Sequence, residues 1–553
     1  MPPGINAEEH ELGIEGADEG GSDRDDARDQ EDRPEDEHES RSGRGVHRSQ
    51  SDTSRGGSMS ARADAPVDAA APVRERPSPT RRAGWLFAVA VMGVAVLAHL
   101  PGYLHQLTDT DEGAIATMAM VVNRGGVLYR DVIDRKPPMP AFVYAGSFLL
   151  TGNNDLRLLH LLAALALGAS ALTLAWGARR VAGAVAGWWS AGLLVAGAIA
   201  LRPHDAQAAN FAHFALLPGC GAIVAARVGS RRSALLAGVL LGLATLTRQT
   251  WLIGVVPAAF AAWSFGGRRV GRAAIVVGAT ALTIAAIAVV VPFGQFWHWT
   301  FSGNASVLDV SGSIDVEGRA AIALELFVLA NAAACWLAVR RGWRRTDLDL
   351  WLWLATGIAA FAAGFRFFGH YSLQVLPPLC LLAGLGAASC RPLLRRALFV
   401  VAAVPAIAVW TLALVTPPRV GEPVVPALAR YVDAHTRPDD LVTVWGSAPD
   451  LYYRANRSPA GAFVTTDFLV GKSAFHRDSR ARLRDATPGA RSTFLRSLRA
   501  HPPKLFLDTS TAHLRGYGHY PLSVVPAVKA FVEAHYRRVG TLDRVTIYEQ
   551  RPR

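Results

Sequence analysis

From Trp85 onward the chain repeatedly runs for about 17 to 25 residues with almost no charge, and this repeat constrains its fold more than any other feature. In a bilayer every backbone amide must be satisfied within its own segment, so such runs become helices. Eleven runs can be drawn, near 84–104, 157–178, 181–201, 206–226, 233–248, 250–266, 272–293, 319–339, 348–366, 371–390 and 397–415. Arg248 and Gln249 interrupt one apolar stretch and mark a tight turn or a kink. The fold class expected is a polytopic α-helical membrane protein.

The Arg clusters orient it. Arg81/Arg82, Arg179/Arg180, Arg227/Arg231/Arg232, Arg268/Arg269/Arg272, Arg340/Arg341/Arg344/Arg345 and Arg391/Arg395/Arg396 fall at every second connection. The positive-inside rule then puts the N-terminus in the cytoplasm and the C-terminus outside. The segment Met139–Gly152 is short for a crossing, and counting it would turn every later Arg cluster to the outer face. It is expected as an interfacial or re-entrant helix within one long external loop, 105–156.

Residues 1–82 form a polar tail, expected to be disordered and cytoplasmic; its first 40 residues hold sixteen Asp or Glu against three Arg. The first apolar run begins too late for a signal peptide at Met1. The membrane part spans 83–416. After Pro417 short strand-like runs alternate with helical stretches: LVTVW (441–445), AFVTT (462–466), KLFLD (504–508) and RVTIY (544–548), with PAVKAFVEAHYRR before the last. Residues 417–553 are therefore expected as a small external α/β domain. The overall charge of +12 does not indicate nucleic-acid binding, because the cations cluster between apolar runs. The four Cys lie within or at the end of apolar segments, without CxxC spacing or nearby His, and read as core residues rather than a disulfide or zinc framework.

The spans themselves are nearly free of charge, whereas a transporter carries its charges at mid-bilayer. The polar chemistry concentrates in the long loop, beginning with DTDEG, Asp109 to Gly113. Ile115, Met118 and Val122 recur at helical spacing and Gly125/Gly126 stop the helix, so Asp111 and Glu112 lie in the first turn of a helix on the membrane surface. There the macrodipole favours an ionised carboxylate, the form a general base requires, while Asp109 reads as a cap. Further along, Arg130, Arg135 and Lys136 precede Pro137/Pro138, which enforce an extended backbone. Cations held at headgroup level by that stiff step suit an anionic phosphate. Lys136 is the only Lys before Lys472 in a chain that otherwise writes its cations as Arg.

This order of residues resembles the GT-C membrane glycosyltransferases, in the branch shared by protein O-mannosyltransferases and lipid A aminoarabinose transferases (glycosyltransferase family 39-like). The matching features are Asp111-Glu112 after the first span, an amphipathic helix, Tyr129 with Asp131, and Lys136-Pro137-Pro138. GLATLTRQT (242–250) and FFGHYSLQVLPPL (367–379) also look like later family segments. The resemblance implies a GT-C fold over 84–415 and a polyprenyl-phosphate sugar as donor. Asp111 would be the base for an acceptor hydroxyl with Glu112 supporting it. Lys136, with Arg135, Arg248 or Arg366, would hold the donor phosphate, and attack opposite that phosphate implies inversion.

One departure stands out. Where relatives have an acidic residue after an Asn, this chain has Asn210-Phe211-Ala212-His213. Either Asp205 is the second carboxylate or there is none, with Asp131 and His370 as further supporting candidates. This departure leaves metal dependence open, with no ligand set compelling enough to assert a metal, and no other cofactor is called for. The partners expected are the bilayer, the lipid-linked sugar and a glycan, lipid or protein acceptor. The Arg-rich composition fits a GC-rich bacterial genome and a plasma-membrane location. The competing functions are a transporter or flippase of lipid-linked sugars, and a catalytically silent scaffold.

Overall fold

The computed structural model describes residues 81–303, 316–416, 423–472 and 483–552. The polar tail, apart from its last two residues, lies outside them.

The helical part matches the apolar pattern with breaks at informative places. Arg157–Ile199 is helical throughout except at Ala182 and Gly183, where Gly183 takes φ +80°. A Cβ on Gly187 would fall 2.9 Å from the Ala175 carbonyl oxygen, although twelve residues of straight helix would separate the two by about 18 Å. The segment is thus a tight helical hairpin whose turn carries Arg179 and Arg180, dividing it where the two expected spans meet. Its second arm packs on Leu376–Ala387 through small residues: a Cβ on Gly384 would come within 2.5 Å of the Ala186 carbonyl oxygen. Leu167, Leu174, Leu194, Leu216, Ile223, Trp251 and Trp353 fill the shared core.

Other expected spans are shorter or bent. Among the described residues four helices are long and apolar enough to cross a membrane, and a fifth results if Val316–Ala330 and Ala332–Arg341, bent by 82°, count as one. Arg82–Ala98, Phe211–Ala226 and Leu376–Ala387 are apolar helices of 10–17 residues. The interruption at Arg248 is a true break. Helix Arg231–Thr247 ends there, Arg248 is extended, and a 3-10 turn Gln249–Gly254 leads into Val255–Ser264.

The C-terminal part carries one four-stranded sheet in the order β1-β2-β4-β3, with β1 (Val442–Trp445) parallel to β2 (Leu505–Asp508) and β4 (Val545–Gln550) antiparallel to both neighbours, β2 and β3 (Tyr536–Leu542). Two sequence expectations fail here. AFVTT is not a ladder strand; its backbone docks instead on the first loop, Ile133 donating to the Ala462 carbonyl at 2.7 Å and Val464 to the Ile133 carbonyl at 3.2 Å. The helix read through YRR ends at His535, and Tyr536, Arg537 and Arg538 begin β3, an exposed edge strand.

The first loop forms helices Thr110–Asn123 and Met139–Thr151. The first of these does not lie on a surface with one face free, as its spacing implied. Every residue from Glu112 to Val121 is buried, because the helix is sandwiched between the helical part and the C-terminal domain. Ile115 and Ala119 pack with Leu107, Tyr144 and Leu159, while Met118 and Val121 join Tyr129, Ile133, Trp445 and Phe463. A helix apolar on all sides is buried on all sides.

Candidate active site

Asp109 opens helix Thr110–Asn123 in an extended conformation, and its Oδ1 accepts from the Glu112 amide at 2.8 Å. Glu112 Oε2 reaches back to the Asp109 amide at 3.1 Å, completing a capping box. The same oxygen accepts from the Thr108 amide and, at 2.9 Å, its hydroxyl, while Oε1 accepts from the Ala209 amide at 2.8 Å. His160 Nε2 stands 3.4 Å from Oε1. Glu112 is fully buried with both oxygens occupied, so it joins the loops at 108–109 and 209 behind the site.

Asp111, its neighbour on the helix, turns the other way, since successive residues diverge by about 100°. Its side chain keeps 30% of its exposure and its Oδ1 lies 3.0 Å from Lys136 Nζ. The same ammonium lies 3.1 Å from Asp134 Oδ2. Asp134 is the residue that sequence reasoning missed. Its signal was the Asp-x-Lys spacing on an extended segment, which puts both side chains on one side. Tyr129 fixes the far end of this loop: its hydroxyl donates to the Lys136 carbonyl at 2.8 Å, with Tyr129 itself held at φ +67°, a conformation few aromatic residues adopt.

Asp111 and Asp109 of the opening motif have unlike electrostatics. Burial works to raise the Asp111 carboxyl, but the Lys136 ammonium and His370 outweigh it and hold the group below the usual carboxylate range. Burial, with the charges of Asp111 and Glu112, pushes Asp109 well above that range. Burial opposes the charge on Lys136 too, yet Asp111 and Asp134 more than compensate and raise its pKa.

The other expected residues divide. Asp131 does not join the cluster; it pairs with Arg130 at 2.7 Å and accepts from the Val127 amide at 2.7 Å, closing its own turn. Arg135 lays its guanidinium 4.3 Å over the Phe468 ring of the C-terminal domain, with Nε buried and without a partner among the described residues. Arg248 is brought in by the helix break. Its guanidinium lies 4.4 Å over Tyr371, it feels the charge of Asp111, and its buried Nη2 has no partner among the described residues. Arg366 is buried between its chain neighbours Phe365 and Phe367, both at positive φ, and it feels the charges of Arg319 and Arg135.

Asp205, on the short helix Pro203–Gln207, accepts from His370 twice at Oδ1: from the backbone amide at 3.1 Å and from Nδ1 at 2.6 Å. Its Oδ2 lies 3.3 Å from His204 Nε2. Burial raises its pKa, but the hydrogen bond and charge of His370 leave it lowered. Asp111, Lys136, Asp205, Arg248 and His370 thus converge from four separate segments. Among the described residues no group of three or more His, Cys, Asp or Glu is arranged to hold a metal ion.

No family model and no curated protein matches the chain. Solved structures do. ArnT from Cupriavidus metallidurans bound to undecaprenyl phosphate aligns with a TM-score of 0.56 at 16% identity, over 84% of this chain and 98% of its own. The apo state of the same ArnT gives 0.52 at 16% identity, with the same coverage. The apo oligosaccharyltransferase of Archaeoglobus fulgidus aligns with a TM-score of 0.47 at 12% identity, over 84% of this chain and 74% of its own. The chain therefore has the fold of the GT-C membrane glycosyltransferases, the superfamily its first-loop residues resemble.

Proposed function

We propose that this chain is an inverting glycosyltransferase that moves a sugar from a polyprenyl-phosphate donor to an acceptor hydroxyl at the external face of the plasma membrane. The observation that carries this reading is a part-exposed carboxylate, Asp111, held ionised beside Lys136 and within electrostatic reach of the buried Arg248 guanidinium. The ionised carboxylate accepts the proton of an attacking hydroxyl, and the cations stabilise a departing phosphate, which needs charge compensation rather than a proton.

The cations have unequal freedom. Lys136 is already shared by two carboxylates, so a phosphate there must compete with Asp111 and Asp134. Arg248 and Arg135 keep buried donor groups unpaired among the described residues, which an anion would satisfy. Arg248 is accordingly the principal phosphate ligand in this reading, with Lys136 and Arg135 as secondary ones. The undecaprenyl phosphate held by the ArnT match supports the same class of lipid donor.

The test is Asp111→Asn in cells lacking the native copy. The glycan, lipid or protein that loses a sugar on deletion is identified by mass spectrometry, and the variant is asked to restore it. Membrane-inserted Asp111→Asn at normal abundance should restore less than about one part in 10² of the product, the lower range for a lost general base. Restoration at the wild-type rate removes Asp111 from that role.

A further inference from the structure

The mechanism above leaves a buried acid–base pair unused. His370 begins the 3-10 turn Gly369–Gln374 as its second residue, and its imidazole is 7% exposed. Asp205 receives both its Nδ1 and its backbone amide, so the Nδ1 proton points at the carboxylate and Nε2 is left as the free nitrogen. Nε2 is buried and has no hydrogen-bond partner among the described residues. Space for this contact is made by Gly369, where a Cβ would meet Asp205 Cγ at 3.0 Å.

The surroundings explain the ring's orientation and leave Nε2 unexplained. Phe368 stacks on the imidazole with centroids 5.6 Å apart, while Phe211 and Tyr371 meet it edge-on at 5.5 and 5.0 Å. The charged and titratable groups that face it are Asp205 and His204 from the helix Pro203–Gln207, Asp111 from the capped helix, and His213 from Phe211–Ala226. Arg248 completes the set, its Nη1 lying 3.4 Å from the His370 carbonyl. An imidazole fixed by a carboxylate on one nitrogen, with the other left without a partner, is the arrangement by which proteins build a proton acceptor.

We propose that the Asp205–His370 pair is the terminal proton acceptor of the transfer reaction, drawing the acceptor's proton away from Asp111. The inference rests on the glycosyltransferase reading above. In the step, the acceptor O–H bond breaks and its proton passes to the Asp111 carboxylate. The freed oxygen bonds to the sugar's anomeric carbon, and the bond from that carbon to the phosphate oxygen breaks with its electron pair going to the phosphate. The proton then moves to His370 Nε2, forming an imidazolium whose Nδ1–H remains on Asp205, and leaves to water after product release. Asp111, its carboxyl held below the usual range by Lys136, is a good first acceptor by position and a poor place for the proton to remain; an imidazole nitrogen is intrinsically the more basic group.

The experiment uses membrane vesicles from cells deleted of the native copy and complemented with wild type, His370→Asn or Asp205→Asn. The rate of appearance of the product lost on deletion is divided by the amount of full-length chain and followed from pH 5 to 8.5. Asn at 370 can still donate to Asp205 but has no second nitrogen. A purely architectural role predicts a rate within about threefold of wild type and an unchanged pH profile, and that result overturns the proposal. We expect a fall of at least 10²-fold, the usual scale for an acid–base group, with the acidic limb of the profile abolished. Asp205→Asn, which keeps the imidazole, should move that limb to lower pH because the imidazolium loses its counter-charge; an unmoved limb also overturns the proposal. A deletion that removes no glycosylated product defeats the transferase reading itself. Loss of transfer in Asp111→Asn alone, with His370→Asn intact, leaves that reading standing and defeats only this one.

Discussion

Lys136 Nζ lies 3.0 Å from Asp111 Oδ1, joining a loop cation to the first turn of a helix, with Asp134 sharing the ammonium from the other side. The contact keeps Asp111 charged in a place where burial alone would favour its neutral form.

Lys136→Met should therefore lower stability in a pH-dependent way. The depressed Asp111 pKa contributes stability that is present above the unfolded value of about 3.9 and is lost as pH falls through the lower folded value. The difference in apparent melting temperature between wild type and Lys136→Met should be largest near pH 6 to 7 and shrink below about pH 4, as measured in detergent by a thiol-independent unfolding dye. A difference that stays constant to pH 3 would mean that packing of the Lys136 stem, rather than its charge, was removed.

Much of this region was legible in the sequence. The helical spacing of Ile115, Met118 and Val122, the cap at Asp109 and the stop at Gly125/Gly126 identified the capped helix, while its capping box with Glu112 appears only in the structure. Long uncharged runs marked apolar helices, four of which among the described residues are long enough to cross a membrane, and Arg179/Arg180 marked the hairpin turn, since both follow from the cost of placing charge in a bilayer. What the sequence hid were partners made by tertiary contact. The pairing of Asp134 with Lys136 was masked by reading RDVIDRK as a basic cluster, and AFVTT has strand composition although its backbone partners are in the first loop. Likewise Tyr536–Arg538 carry no local signal separating them from the preceding helix; pairing with β4 decides their conformation.

Asp109 and Glu112 should behave as structural acids, in contrast to Asp111. Asp109→Asn keeps an acceptor for the Glu112 amide, whereas Asp109→Ala removes the cap and leaves Asn210 Nδ2, now 3.0 Å from the carboxylate, without its acceptor. The Ala variant should be the less stable of the two by about 1 kcal/mol or more, which parallel thermal unfolding curves would register.

Glu112→Gln should be more damaging than its near-identical shape implies. Both carboxylate oxygens face donors, from Thr108, Asp109 and Ala209, so an amide NH2 in either position points donor at donor inside a fully buried site. The expected loss is about 1–3 kcal/mol, the range for an unsatisfied buried group. The variant should lose transfer in proportion to lost folded protein; normal abundance and melting temperature with abolished transfer would instead give Glu112 a direct chemical role.

Gly113 closes the DEG motif for a reason visible only in three dimensions. A Cβ there would fall 2.6 Å from Asp450 Cβ and 2.7 Å from its Cα, so the clash is with the backbone of helix Pro449–Ala455 in the C-terminal domain. Asp450 cannot easily yield, being buried and held by two Arg515 nitrogens at 2.8 and 3.0 Å. One turn along, Thr117 Oγ1 donates to the Pro449 carbonyl at 3.0 Å and fixes the same pair of helices. Gly113→Ala must therefore push the first helical turn away from the C-terminal domain and carry Asp111 with it. A shift of about 1 Å is enough to slow a positioned reaction by about 10²-fold. Gly146→Ala is the control, since nothing lies within 4 Å of a Cβ at that position in the neighbouring helix Met139–Thr151. The expected outcome is a transfer rate near wild type for Gly146→Ala and a fall of about 10²-fold for Gly113→Ala at equal membrane abundance, with faster proteolytic release of the C-terminal domain. Equal rates for the two variants would show that the docking of this domain does not set the position of Asp111.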